Sequence, residues 1–216
     1  MRPILIYCYD AYCGWCYGFS HVIKQIASEY ADHFQLEVLS GGMILPSEPM
    51  PVSVMAGYIK EAYPVVEQRT GIRFGRDYLW HIENPDQSDW FPSSELPAIA
   101  LCVFKSFLPD KQVELASDIQ YGLFEEGRDL ADPEAYRHLI VKYALDESLF
   151  YQRLKDVVFK ERAYEEFDLC QKLQVKGYPQ LLCQLEENKF HLVSNGYTGI
   201  EEIRGRLDHL LLTKGS

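Results

Sequence analysis

Apolar residues recur along this chain at two different spacings, and the changes between them mark its elements. Ile4-Leu5-Ile6-Tyr7-Cys8-Tyr9 is a continuous run of β-branched, aliphatic and aromatic residues, which predicts a short buried strand. Asp10 to Tyr12 then turn the chain. From Gly14 onward, Phe19, Val22, Ile23, Ile26, Ala27 and Tyr30 recur at steps of three and four, the apolar face of an amphipathic helix. Gln35–Leu39 predicts a second strand, and the chain turns away at Gly41-Gly42. A strand, a crossover helix and a strand in this order imply parallel pairing in one sheet.

From about Pro46 to Lys172 the spacing is helical and strand candidates are few. Helices are predicted over Val54–Arg69, Pro97–Phe107, Lys111–Glu126, Pro133–Tyr143, Asp146–Lys155 and Lys160–Leu173. Asp110, Asp132 and Asp146 stand at N-cap positions, with Pro133 in a first helical turn. Gly71–Ser94 mixes Gly, Pro, Asp and Asn with aromatics and predicts a long ordered loop, whose Trp80, Trp90 and Phe91 are candidates to line a groove or to fill the core. Strands return at Gln180–Glu186 and Lys189–Ser194, joined by a Glu187-Asn188 turn, before a last helix over Ile200–Leu212. The order β-α-β, helical block, β-β-α predicts an α/β fold with a large all-helical insertion. Residues 1–45 and 174–216 would form one discontinuous domain, with 46–173 inserted.

Composition excludes several classes. The chain has 216 residues, 47% hydrophobic and 25% charged, an ordinary globular balance. Its net charge of −11 repels phosphate backbones and anionic lipid surfaces, so neither nucleic acid nor membrane is an expected partner. No secretory leader is evident at MRPILIYCYDAYC, and the chain reads as cytoplasmic.

The candidate chemistry lies in the cysteines. Of six, Cys8, Cys13 and Cys16 fall close together, while Cys102, Cys170 and Cys183 sit in apolar surroundings and are expected to be buried thiols. Cys13-Gly14-Trp15-Cys16 lies where a strand ends and a helix begins. Unpaired N–H groups and the helix dipole there stabilise negative charge, which favours a thiolate at Cys13; Cys16, one turn on, can resolve a mixed disulfide formed at Cys13. A structural zinc site would need a second cysteine or histidine pair. The Cys8, Cys13, Cys16 spacing also matches plant-type iron–sulfur ligation, but Cys8 lies inside a strand. Asp10, three residues before Cys13, is either a proton relay or a turn residue, and Glu37 is a candidate proton acceptor near Cys16. Gly177-Tyr178-Pro179-Gln180 immediately precedes a strand. The residues alone leave Pro179 open between a trans turn proline and a cis proline, which would present the Tyr178 backbone to an extended substrate.

Tyr9-Asp10-Ala11-Tyr12-Cys13-Gly14-Trp15-Cys16-Tyr17-Gly18 resembles the active-site signature of DsbA-like thioredoxin-fold proteins, in particular the subgroup described as predicted protein-disulfide isomerases. The helical insertion and the late Gly-Tyr-Pro fit the same family. The resemblance implies a thioredoxin fold, Cys13 as the exposed nucleophile, Cys16 as resolving thiol, and Pro179 as a cis proline. Gly14, Trp15, Asp10 and Tyr178 would support the site. It implies thiol–disulfide exchange on protein or peptide substrates, a redox partner that recycles the pair, and no cofactor beyond the Cys13–Cys16 disulfide, with glutathione a candidate reductant. Gly14-Trp15 differs from the Pro-His of the periplasmic oxidant and from the Gly-Pro of thioredoxin. Two alternatives share the pattern. Kappa-class transferases and hydroxychromene-carboxylate isomerase activate glutathione with a serine where Cys13 stands here, and a holdase would use the aromatic helical block without catalysis.

Overall fold

The computed structural model describes residues 2–214. Its four strands are β1 (Ile4–Tyr9), β2 (Gln35–Ser40), β3 (Gln180–Glu186) and β4 (Lys189–Asn195). Helix α1 (Gly14–Glu29) joins β1 to β2, and α9 (Ile200–Lys214) follows β4. Between β2 and β3 lie α2 (Ser53–Thr70), α3 (Arg76–Glu83), α4 (Glu95–Phe107), α5 (Gln112–Phe124), α6 (Arg137–Lys142), α7 (Glu147–Leu154) and α8 (Val157–Lys172). The strands lie in the order β2-β1-β3-β4. β1 pairs parallel with β2 and antiparallel with β3, and β3 pairs antiparallel with β4. This is the thioredoxin fold with a helical insertion.

Alternation along β1 divides the core. Leu5, Tyr7 and Tyr9 pack with Phe19, Ile23 and Ile26 of α1, which are fully buried. Each such side chain contributes roughly 1.5–3 kcal/mol relative to exposure. Ile6 and Cys8 face the other way and pack with Leu39, Leu182 and Cys170 of α8. The insertion therefore covers the sheet on the side that α1 leaves open. Among the described residues, no helix is long and apolar enough to cross a membrane.

Three expectations need correction. The stretch 71–94 is not all loop: α3 lies inside it, with Tyr78 and Ile82 buried one turn apart. An eight-residue helix flanked by Gly75 and Pro85 offers too few repeats to reveal a period. The helix expected from Lys160 starts at Val157, because the Asp156 carboxylate accepts the Val158 N–H and caps it. Asp132 and Asp146 do cap, but Asp110 lies within the 3₁₀ turn Pro109–Lys111 and makes no capping bond.

The outer edge of β2 pairs with side chains instead of another strand. Gln112 of α5 accepts the Val38 N–H at 3.0 Å, Lys105 of α4 donates to the Val38 carbonyl at 2.7 Å, and Glu166 of α8 accepts the Ser40 N–H at 2.8 Å. Lys105 and Glu166 also form an ion pair, with side chains only 13% and 12% exposed. Burial pulls the Lys105 pKa down, but Glu166 foremost, with Cys102 and Glu37, together more than offset it, and the ammonium ends above its usual value.

Glu166→Ala would leave a buried ammonium and an unpaired Ser40 N–H. Breaking one partner of a buried pair costs about 3–5 kcal/mol, so denaturant unfolding should register a loss of that order. A loss below about 1 kcal/mol, the worth of a surface pair, would mean that water reaches Lys105.

Candidate active site

Cys13 is the N-cap of α1, with extended backbone (φ −84°, ψ 107°) before the helix begins at Gly14. Its carbonyl accepts the N–H groups of Cys16 and Tyr17, and its sulfur accepts the Cys16 N–H at 3.4 Å. A thiol thus occupies the place of the usual Ser or Asp cap and faces the positive end of the helix. The Cys13 Sγ–H also points at the Tyr178 carbonyl, 3.4 Å away. Tyr178 and Pro179 are joined by a cis peptide bond, and the Tyr178 hydroxyl donates to the Gly41 carbonyl at 2.9 Å. Gly41 must be glycine, since a Cβ there would lie 2.0 Å from the Tyr178 ring.

The two thiols are free and differ in surroundings. Cys16 is fully buried; that burial, then the hydrogen bond and charge of Cys13, push its pKa well above the usual value. Cys13, expected to be exposed, is instead buried, at 6% exposed. Trp15, Tyr63, Phe74 and Tyr178 wall a cavity of about 200 Å³ around it. Tyr12, Met43, Tyr58 and Tyr78 are shared with a second cavity of about 220 Å³ bounded by Met55 and Trp90. No charged side chain among the described residues lines either cavity. Of the three aromatics singled out in the 71–94 stretch, only Trp90 faces this cleft; Trp80 and Phe91 are about half exposed elsewhere.

Asp10 proves to be a turn residue with a wider reach. Its Oδ1 accepts the Tyr12 N–H at 3.0 Å and the Ser94 hydroxyl at 3.0 Å, and its Oδ2 accepts the Met43 N–H at 2.7 Å. Its carbonyl accepts the Cys13 N–H, and Gln120 of α5 donates Nε2–H to that carbonyl at 3.0 Å and to the Cys13 carbonyl at 3.3 Å. Burial raises the Asp10 pKa, and the Met43, Tyr12 and Ser94 donors only partly counter it. Sequence reasoning missed Ser94 and Gln120. The signal for Gln120 was legible: it shares the apolar face of its helix with Ala116 and Leu123, where a lone amide needs a partner.

Glu37 is not near Cys16. It pairs in register with Ile6, so it faces the side covered by α4 and α8, with Lys105 of α4 4.0 Å away. Cys8 faces that side too, against Cys170, so Cys8 does not converge with Cys13 and Cys16. Cys102 is buried and donates to Glu166 at 3.4 Å. Cys183 is buried in the sheet.

The sequence matches no family model and no curated protein. Solved structures do share its architecture. A Nitrosomonas europaea protein provisionally named a protein disulfide isomerase superposes with a TM-score of 0.87 at 24% identity, over 99% of both chains. The cytosolic disulfide reductase DsbM from Pseudomonas aeruginosa gives 0.79 at 22% identity, over 97% of this chain and 99% of that one; its structure with glutathione (GSH) gives 0.75. A 2-hydroxychromene-2-carboxylate isomerase gives 0.59 at 15% identity, over 98% and 94%. The fold is that of DsbA-like proteins.

The Asp10 geometry has a pH signature. A carboxyl whose folded pKa is raised binds its proton more tightly when folded, so its contribution to stability is greatest below about pH 3.9 and declines as pH rises through the folded value. Asp10→Asn removes that slope and leaves one donor facing an amide NH₂. Urea unfolding from about pH 4 to 7 should therefore show the parent's advantage over the variant shrinking as pH rises. A constant difference would mean that Asp10 titrates alike in both states.

Proposed function

We propose that this protein is a cytoplasmic thiol–disulfide oxidoreductase whose dithiol form reduces or reshuffles disulfides in protein or peptide substrates. The observation that carries this reading is the Cys13 sulfur, held at the start of α1 between the Cys16 N–H and the Tyr178 carbonyl and facing a cleft. Cys13, as thiolate, attacks one sulfur of a substrate disulfide; that bond breaks and the other sulfur leaves as a thiolate, which takes the Cys16 proton. Cys16 then attacks Cys13, the mixed disulfide breaks, and the second substrate sulfur leaves and is protonated by water. Two electrons pass from the Cys13–Cys16 pair to the substrate. Gly14 and Trp15 set the helix start and one cleft wall. Tyr178 and Pro179 offer backbone groups beside Cys13 to an extended substrate segment.

The reductase named among the structural neighbours is described as cytosolic and was solved with glutathione, which supports both the compartment and glutathione as the thiol that returns the pair to its reduced form. A glutathione transferase or isomerase reading is supported by fold alone, at 15% identity. A second thiol one turn from the first serves no purpose in it. A holdase reading leaves the same pair unused.

Cys16→Ala should stop turnover and accumulate a mixed disulfide on Cys13, seen as a mass increase equal to the substrate thiol. Cys13→Ala should abolish both turnover and adduct. Insulin-reduction activity surviving in Cys13→Ala would sink the proposal, and suppression of aggregation without any exchange would favour the holdase.

A further inference from the structure

The hydroxyl of Tyr7 lies inside the protein with no nitrogen or oxygen partner among the described residues. Tyr7 is central in β1, on the face that meets α1, and its ring packs at 5.8 Å from Tyr9 and 5.9 Å from Phe19. A buried, unpaired hydroxyl is costly, and Phe would fill the same space without that cost. What the hydroxyl faces is the Cys16 thiol, with Cys13 and Tyr9 further off. A neutral thiol is a weak acceptor, whereas a thiolate accepts strongly.

The surroundings of Cys16 give that difference a use. Among the described residues, the titratable groups that act most strongly with it are Asp10, Cys13, Tyr7, Tyr9 and Tyr178, all acids. Burial above all, and the Asp10 charge with it, oppose a thiolate there, and a backbone hydrogen bond at Asp10 only partly counters them, so a further side-chain donor has work to do. The thiolate must nevertheless form once per turnover, when Cys13 is tied up in the mixed disulfide and carries no charge. We propose that the Tyr7 hydroxyl is the donor that stabilises the Cys16 thiolate during its attack on the mixed disulfide. Tyr7 keeps its own proton throughout. The Cys16 proton goes to the first substrate thiolate to leave, the Cys16–Cys13 bond forms, and the Cys13–substrate bond breaks. Tyr9 is the internal comparison. Its hydroxyl is equally buried and unpaired, but the nearest charge it senses is Asp10.

This inference rests on the exchange reading above, and single-turnover reaction with 5,5′-dithiobis(2-nitrobenzoic acid) separates the two. Reduced protein should release coloured thiolate twice, first on attack by Cys13 and then on resolution by Cys16, the Cys16 proton passing here to water because this aryl thiolate is too weak a base to take it; Cys16→Ala identifies the second phase by abolishing it. Tyr7→Phe should leave the first phase within about twofold and slow the second about tenfold near neutral pH, with the pH midpoint of the second phase moved upward. Tyr9→Phe should alter neither phase. Site-specific 3-fluorotyrosine at position 7, a stronger donor of nearly the same shape, should speed the second phase. An unchanged second phase in Tyr7→Phe, or a slower or unchanged one with 3-fluorotyrosine, overturns the role of Tyr7. Absence of the first phase in the parent overturns the exchange reading itself.

Discussion

A carboxylate withdrawn from water has to find donors inside the protein, and at Asp10 they arrive from three separate stretches of chain. Tyr12 belongs to the turn before α1, Met43 to the segment leaving β2, and Ser94 to the start of α4. Satisfying one buried group therefore fixes the relation between the sheet, the cysteine helix and the insertion. Ser94 gives up the usual work of a cap residue to do this. Its side chain makes no capping bond to its own helix; the hydroxyl instead donates to Asp10 and accepts the Ile44 N–H. Gln120 closes the arrangement from α5 by reaching the carbonyls of both Asp10 and Cys13. The position of Cys13 is thus set by its neighbours' polar groups, and its helix is held at the end where the chemistry is proposed.

The second constraint acts on the other side of the segment that Asp10 holds. An unpaired strand edge invites another strand, and β2 is the edge nearest the insertion. Gln112, Lys105 and Glu166 occupy its backbone groups at Val38 and Ser40, so that edge is closed. The next residues are held in turn: Gly41 by the Tyr178 hydroxyl, Met43 by Asp10, Ile44 by Ser94. Residues 40–44 therefore form a pinned rim that carries Met43 into the wall of the cleft. Closing the β2 edge leaves the backbone of Tyr178, beside Cys13, as the place where an extended segment can pair next to sulfur.

Local spacing made much of this fold legible. β1 and β3 stand where the apolar runs lie, and α1 begins directly after Cys13, because strands and a helix opening are short-range signals. The pair Cys13 and Cys16 was legible for the same reason. What escaped was set by contacts across the chain. Asp10 reads as a turn residue from three-residue spacing, and its other partners lie 33 and 84 positions away. Glu37 could be assigned to either face until the Ile6 register fixed which one. α3 is too short to display a period, and the shielding of Cys13 comes from aromatics on separate helices and loops whose packing no local pattern specifies.

The cleft itself bears on what the cysteine pair can act upon. The chain carries a net charge of −11, yet none of that charge reaches the cavity walls, which are aromatic and aliphatic. A neutral wall leaves the two sulfurs to be influenced chiefly by the helix start and by Asp10. Apolar surroundings also exclude water, which strengthens each remaining dipole: the Cys16 N–H toward Cys13 and the Tyr178 carbonyl opposite it. Among the described residues the wall offers no cation to a carboxylate, so in the exchange proposed above a substrate would be held by apolar area beside its disulfide and by backbone pairing at Tyr178.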